Sequence, residues 1–155
     1  MREITKKVIV FIMFGCLYTT IEVFYRGYSH PLMFLVAGLL TLLVDPINNR
    51  ISWDMPLPIQ MIIATILAVG LELTSGLFAL HVLNTRIWDY RNLPGNMFDG
   101  LVCPQFTAIW FILCGILIIL VDCVNYYWLG EKERPYYRLW FGSKKVYLPE
   151  RRKQC

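Results

Sequence analysis

The chain has 155 residues, of which 57% are hydrophobic and only 17% charged, and it carries a net charge of +4. Soluble domains average about a quarter charged residues, so this composition excludes an ordinary water-soluble domain and points to one small unit held in a membrane. Five cysteines, Cys16, Cys103, Cys114, Cys123 and Cys155, make no even framework and no CxxC pair, which predicts neither structural disulfides nor a zinc site.

About 20 predominantly apolar residues cross a bilayer, and four segments meet or approach that length: about 8–26, 31–45, 58–82 and 104–128. Arg2, Lys6 and Lys7 precede the first. A basic start and the run from Val8 to Phe14 before Gly15-Cys16 also resemble a secretory or lipoprotein signal. Phe14 stands where a small residue belongs, however, and cleavage would strand the basic C-terminal tail on the wrong side. The first segment is therefore read as a retained span, with Gly15, Thr19, Glu22 and Arg26 stepping along one helical face.

The second segment is the shortest, running from Pro31 until Asp45 and Pro46 stop it, with Ala37 or Gly38, Thr41 and Asp45 on one face. It is a short span, a re-entrant segment, or a span with local bilayer thinning. In the third, Ala64, Ala68, Glu72, Ser75 or Gly76, and Ala79 form a stripe of small residues around an acid, the pattern that close helix approach in lipid requires. The fourth continues it with Thr107, Cys114 or Gly115, Ile118, Asp122 and Asn125. Pro31 to Asp45 faintly echoes Pro104 to Asp122, each preceded by a helix bearing a glutamate, as two duplicated helix pairs would be.

The fold class is thus all-α, a polytopic membrane protein of four transmembrane helices over residues 1–128. Residues 129–155 form a basic, aromatic tail with an excess of five positive charges from Gly130 onward. Basic residues at both ends place both termini in the cytoplasm of a cell membrane, plasma or inner, under the positive-inside rule. An even number of spans follows. Nearness to the last span assigns the tail's charges to anionic lipid headgroups rather than to nucleic acid.

The connection from Asn84 to Cys103 is the most distinctive stretch. It holds Arg86, Trp88-Asp89-Tyr90, the turn Pro94-Gly95, Asn96, Asp99 and Gly100. Trp88 and Tyr90 suit an interfacial belt, while the polar groups suit a structured or re-entrant loop capping the bundle above Glu72, because irregular backbone survives at membrane depth only when protein or a wet cavity satisfies it.

Glu72-Leu73-Thr74-Ser75-Gly76, followed by Trp88-Asp89-Tyr90, Asn96, Gly100 and Trp110, resembles the signature of the membrane family described as putative ABC-transporter type IV. The resemblance covers about residues 15–128. It implies a permease, and since no ATP-binding motif occurs in this chain, a separate ATPase subunit. The connection Arg26-Gly27-Tyr28-Ser29-His30-Pro31 departs from the pattern, which expects a longer glycine- and proline-rich stretch there.

A charged residue at a helix centre costs roughly 2.5–3.5 kcal/mol on insertion, so Glu22 and Glu72 are functional candidates. In the transport reading they face one another across a polar interior, with Arg26 or Arg86 as counter-ion and Thr74, Ser75, Asp89 and Asn96 as polar neighbours, and they hold a proton, a cation or a small solute. A purely structural reading pairs Glu22 with Arg26 and bonds Glu72 to Thr or Ser hydroxyls. A membrane enzyme acting on a lipid or lipid-linked substrate is the alternative, using Glu72, Asp89, His30, His81, Arg86 and Asn96, although no nucleophile elbow, metal-binding His pair or phosphate loop appears. A non-catalytic adaptor subunit is the third. No cofactor is called for, and the small-residue faces of four short helices invite a homo-oligomer.

Overall fold

The computed structural model describes residues 3–47 and 54–151. Four helices follow in order: α1, Glu3–Arg26; α2, Pro31–Val44; α3, Leu57–His81; and α4, Pro104–Tyr127. α1, α3 and α4 are long and apolar enough to cross a membrane. α2 is apolar, but its 14 residues rise only about 21 Å, short of the roughly 30 Å of hydrocarbon. Part of the expected connection from Asp45 to Leu57, residues 48–53, lies outside the described residues.

Local chemistry sets the helix limits. α1 begins at Glu3, five residues ahead of the expected start, and Lys6 pairs with Glu3 at 3.5 Å across one turn of it. His30 opens α2: its Nδ1 accepts the Leu32 N–H at 3.2 Å and Pro31 takes the first helical position, where a missing N–H costs nothing. α3 and α4 also begin with proline in the first turn.

The helices form two tight pairs, α1 with α2 and α3 with α4, and α2 bridges the pairs by packing on α3. Between α1 and α2, rings and glycines interlock. Phe34 lies on Gly15 and Phe11 lies on Gly38, with the two rings edge to face at 5.6 Å. On α3 the buried residues include Ala64, Ala68, Glu72, Gly76 and Ala79, the stripe expected from spacing, and on α4 Cys114, Gly115, Ile118, Asp122 and Asn125. Ile12, Ile66 and Ile112 point outward, as a hydrocarbon solvent permits. α1 and α4 meet through Val10, Phe14 and Val121 near the tail end of the bundle and border a cleft beyond that contact.

The tail folds back across that end. Two short antiparallel strands, β1 Tyr136–Tyr137 and β2 Val146–Tyr147, pair Tyr136 with Tyr147 and Tyr137 with Val146, adding a small ladder to the all-α class. The Arg138 carbonyl accepts the Leu57 N–H at 2.7 Å, satisfying one of the amides that the start of α3 leaves without an intrahelical acceptor. Asp54 gathers Arg138 at 3.1 Å, Lys145 at 3.4 Å and the Tyr136 hydroxyl at 2.9 Å, and the Tyr136 and Lys145 donors hold its carboxyl below the usual range.

Tyr137 is buried and donates to Asp122 Oδ2 at 2.7 Å, and Asn125 donates to Asp45 Oδ1 at 2.5 Å, tying α4 to the end of α2. Burial, reinforced by the Asp122 carboxylate, pushes the Tyr137 phenol up, so it remains a donor. Hydrogen bonds to charged groups contribute about 1.5–3 kcal/mol. Tyr137→Phe is therefore expected to lower the unfolding temperature in detergent and to expose the tail to proteolysis; an unchanged melting curve and digest would show that the tail is held elsewhere.

Candidate functional site

Glu72 sits on α3 nine residues before its end at His81, about 14 Å along the axis, and is only 2% exposed. The loop after α3 turns back toward it. Asn84, Phe98 and Asp99 adopt positive φ and a bridge joins Met97 to Val102, so residues 84–103 fold on themselves. Gly76 lets this loop lie against α3: a Cβ there would meet Leu101 at 2.9 Å and Trp88 at 3.0 Å. The Trp88 indole N–H donates to the Leu101 carbonyl at 2.9 Å, fixing the strand of loop that carries Tyr90. The Tyr90 hydroxyl then donates to Glu72 Oε1 at 3.0 Å.

Glu72 Oε2 is buried and has no hydrogen-bond partner among the described residues. The Trp110 indole N–H interacts with the same carboxyl, outside hydrogen-bond geometry with Oε2. A buried polar atom left unmet costs about 1–3 kcal/mol, more when charged, so its position matters. It borders a cavity of about 270 Å³ whose wall includes Tyr18, Glu22 and Arg26 of α1, Met33 of α2, Trp88 and Tyr90 of the loop, and Phe106 and Trp110 of α4.

Glu22 lines the same cavity but is fully engaged. Its Oε1 takes Arg26 Nη2 at 2.6 Å and its Oε2 takes the Ser29 hydroxyl at 2.5 Å. Arg26 also lies over the Tyr28 ring at 4.7 Å, and its buried Nε has no partner among the described residues. Aromatic stacking builds the walls. Tyr18 stacks on Trp110 at 5.6 Å with planes 8° apart, and Tyr90 stacks on Phe106 at 4.3 Å. Burial, together with the Glu72 carboxylate, pushes the Tyr90 phenol up, so it stays protonated and donates.

Of the residues singled out from sequence, Glu22, Arg26, Glu72, Trp88, Tyr90 and Trp110 meet at this cavity. The others have local duties. The Thr74 hydroxyl returns to the Gly70 carbonyl at 2.8 Å and that of Ser75 to the Glu72 carbonyl at 3.0 Å. Arg86 pairs with Asp99 at 2.5 Å, making Arg26 the arginine that neutralises an acid at the cavity. Asp89 is clasped by Arg91, whose hydrogen bonds bring its carboxyl down to about 2. Asn96 caps the Leu93 carbonyl at 2.9 Å and the Arg91 carbonyl at 3.1 Å. Gly100 adopts φ +74° with the Arg91 backbone nitrogen 2.6 Å from where a Cβ would stand, and its carbonyl accepts the Tyr90 N–H at 2.8 Å. These four residues shape the loop that presents Trp88 and Tyr90.

Tyr18, Ser29 and Phe106 were not among the sequence candidates. Tyr18 had a signal, since it lies one helical turn before Glu22 in a largely apolar segment. Ser29 had none, because its reach to Glu22 depends on the turn after Arg26.

Chemically, the cavity offers a charge-balanced Glu22–Arg26 pair, a second carboxyl with one free acceptor oxygen, and an aromatic wall. Comparison with curated proteins and with solved structures found no match. The family model described as putative ABC-transporter type IV matches residues 9–141, a stretch that contains every side chain named at the cavity, and the chain belongs to that family.

Proposed function

We propose that this chain is the membrane-embedded, permease-like component of a transporter, and that its cargo binds at Glu72 in the cavity between α1, α3, α4 and the loop. One observation carries the reading: a carboxylate oxygen, buried and without a partner among the described residues, on the wall of a cavity between α1, α4 and the loop. A residue kept only for packing would be expected to have both oxygens engaged, as Glu22 does. The family description adds support for transport and for a separate ATPase chain as partner.

The test is reconstitution into proteoliposomes, with the ATPase partner if one co-purifies, against a panel of radiolabelled organic cations and zwitterions. Wild-type protein should move at least one of them and Glu72→Gln should not. Equal flux by Glu72→Gln, or no flux above protein-free liposomes across the panel, removes the reading.

In this proposal α2 completes a four-span topology despite its length, packed between α1 and α3 where neighbouring protein replaces lipid, so that both termini lie in the cytoplasm and the loop from Asn84 to Cys103 faces away from it. A cysteine placed at exposed Asn92 should then react with an impermeant maleimide added to intact cells, above the background of the parent. Labelling that appears only after permeabilisation would reverse the orientation.

A further inference from the structure

The cavity at Glu72 does not end at its polar wall. A second, apolar hollow continues along the same two helices toward the tail end of the bundle. Tyr18, Ile21, Trp110 and Leu113 belong to both, and Phe14 and Leu117 extend the second. Together they make one lateral cleft between α1 and α4, polar at one end and apolar along the rest. In a bilayer, a cleft between two spanning helices opens to lipid rather than to water.

The two unmet polar atoms at the polar end are of opposite kind. Glu72 Oε2 is an acceptor without a donor, and Arg26 Nε is a donor without an acceptor, each among the described residues. With Glu22 and Arg26 balanced against each other, an ionised Glu72 gives the site one negative charge in excess. A simple anion would meet that charge as repulsion. A simple cation would leave Arg26 Nε unmet. A group carrying an ammonium and a phosphate satisfies both, and the faces of Tyr18, Trp88, Tyr90 and Trp110 favour the cationic end. The lone oxygen needs an N–H, which a primary ammonium has and a quaternary one lacks.

Resting on the binding site proposed above, we infer that the cleft takes an aminophospholipid of the bilayer, laterally, with its primary ammonium on Glu72, its phosphate toward Arg26 and one acyl chain along the groove past Ile21 and Leu117. The acyl chain would cover apolar surface that a water-soluble solute leaves bare, at about 25 cal/mol for each Å² buried. The cavity's volume near 270 Å³ falls just below the range of drug-sized ligand sites, which begins at roughly 300 Å³, as suits a headgroup whose chains lie elsewhere.

The test is native mass spectrometry of the detergent-purified chain, titrated with dioleoyl phosphatidylethanolamine, phosphatidylcholine and phosphatidylglycerol, and with water-soluble glycerophosphoethanolamine. Phosphatidylethanolamine should bind about tenfold or more tightly than the other two lipids, the effect of one charge-assisted hydrogen bond. Glu72→Gln should erase that preference. Ile116→Trp, at a half-exposed position that lines the apolar hollow and not the polar cavity, should weaken lipid binding and spare the soluble compound.

Equal binding of phosphatidylcholine or phosphatidylglycerol would overturn the primary-ammonium assignment. Glycerophosphoethanolamine binding as tightly as the lipid, with loss on Glu72→Gln, would overturn the lipid and leave the cargo site at Glu72 standing. Phosphatidylethanolamine binding that ignores Glu72→Gln would overturn both.

Discussion

Glu72→Gln and Glu22→Gln, two identical substitutions on the wall of one cavity, are expected to fail in opposite ways. Glutamine keeps a carbonyl oxygen that can accept the Tyr90 hydroxyl, now 3.0 Å from Glu72 Oε1, and its amide removes the unmet acceptor at Oε2. The Glu72→Gln protein should therefore fold and insert as well as the parent or better, while cargo affinity falls by about ten- to a hundredfold, the equivalent of roughly 1.5–3 kcal/mol for a hydrogen bond to a charged group. At Glu22 both oxygens are taken, by Arg26 and Ser29, and the amide strands Arg26. Breaking a fully buried pair costs about 3–5 kcal/mol, but the Arg26 side chain is 22% exposed and solvent screens part of that, so the loss should lie nearer the lower bound. Thermal unfolding in detergent paired with binding separates the two. A Glu72→Gln protein that melts early and a Glu22→Gln protein that binds poorly at full stability would invert the assignment of roles.

That contrast between two acids was only half legible from sequence. Spacing put Glu22 with Arg26 and put Glu72 among Ala64, Ala68, Gly76 and Ala79, and the structure has both arrangements, because each depends on contacts within one helix or on the face it buries. What spacing could not supply was the partner of Glu72. Tyr90 is eighteen residues away and reaches it only because Asn84 and Gly100 turn the chain and Gly76 leaves room for Trp88 and Leu101. Thr74 and Ser75 stood next to the acid in sequence, yet helical hydroxyls find the carbonyl three or four residues back before they find a neighbour. Proximity along the chain overstated their part.

The ends of the chain were less legible for a related reason. Lys6 and Lys7 read in sequence as a flank to the first span, but their charges sit on the same continuous helix. In the tail, each strand has two residues, too few to show an alternation. The ladder is held instead by distant groups, Asp54 and Asp122, which the sequence separates from Tyr136 and Tyr137 by 82 and 15 residues.

Gly15→Leu should disable the protein from a position that touches neither acid. A Cβ at Gly15 would lie 2.7 Å from the Phe34 ring and 3.0 Å from the Phe34 carbonyl oxygen, and the ring cannot swing aside freely because Phe11 closes on it edge to face while itself lying 2.6 Å from any Cβ at Gly38. α1 must then move off α2. Overpacking of this kind costs about 1–3 kcal/mol, and the backbone oxygen in the clash places Gly15→Leu at the upper end. The consequence reaches the cleft, since α1 carries Tyr18, Glu22 and Arg26, and its displacement should lift Tyr18 from Trp110 and loosen binding as well as stability. Gly70 is the control. It lies on a lipid-facing part of α3 with nothing within 4 Å of its Cβ position, so Gly70→Leu should be neutral or stabilising, by up to about 1 kcal/mol from helix propensity. Truncating the obstructing ring with Phe34→Leu should restore part of the stability of Gly15→Ala but little of that of Gly15→Leu, whose longer side chain still meets the carbonyl. Equal melting temperatures for Gly15→Leu and Gly70→Leu would mean that α1 and α2 are free to part, and the wall of the cleft would then have to be held by α4 alone.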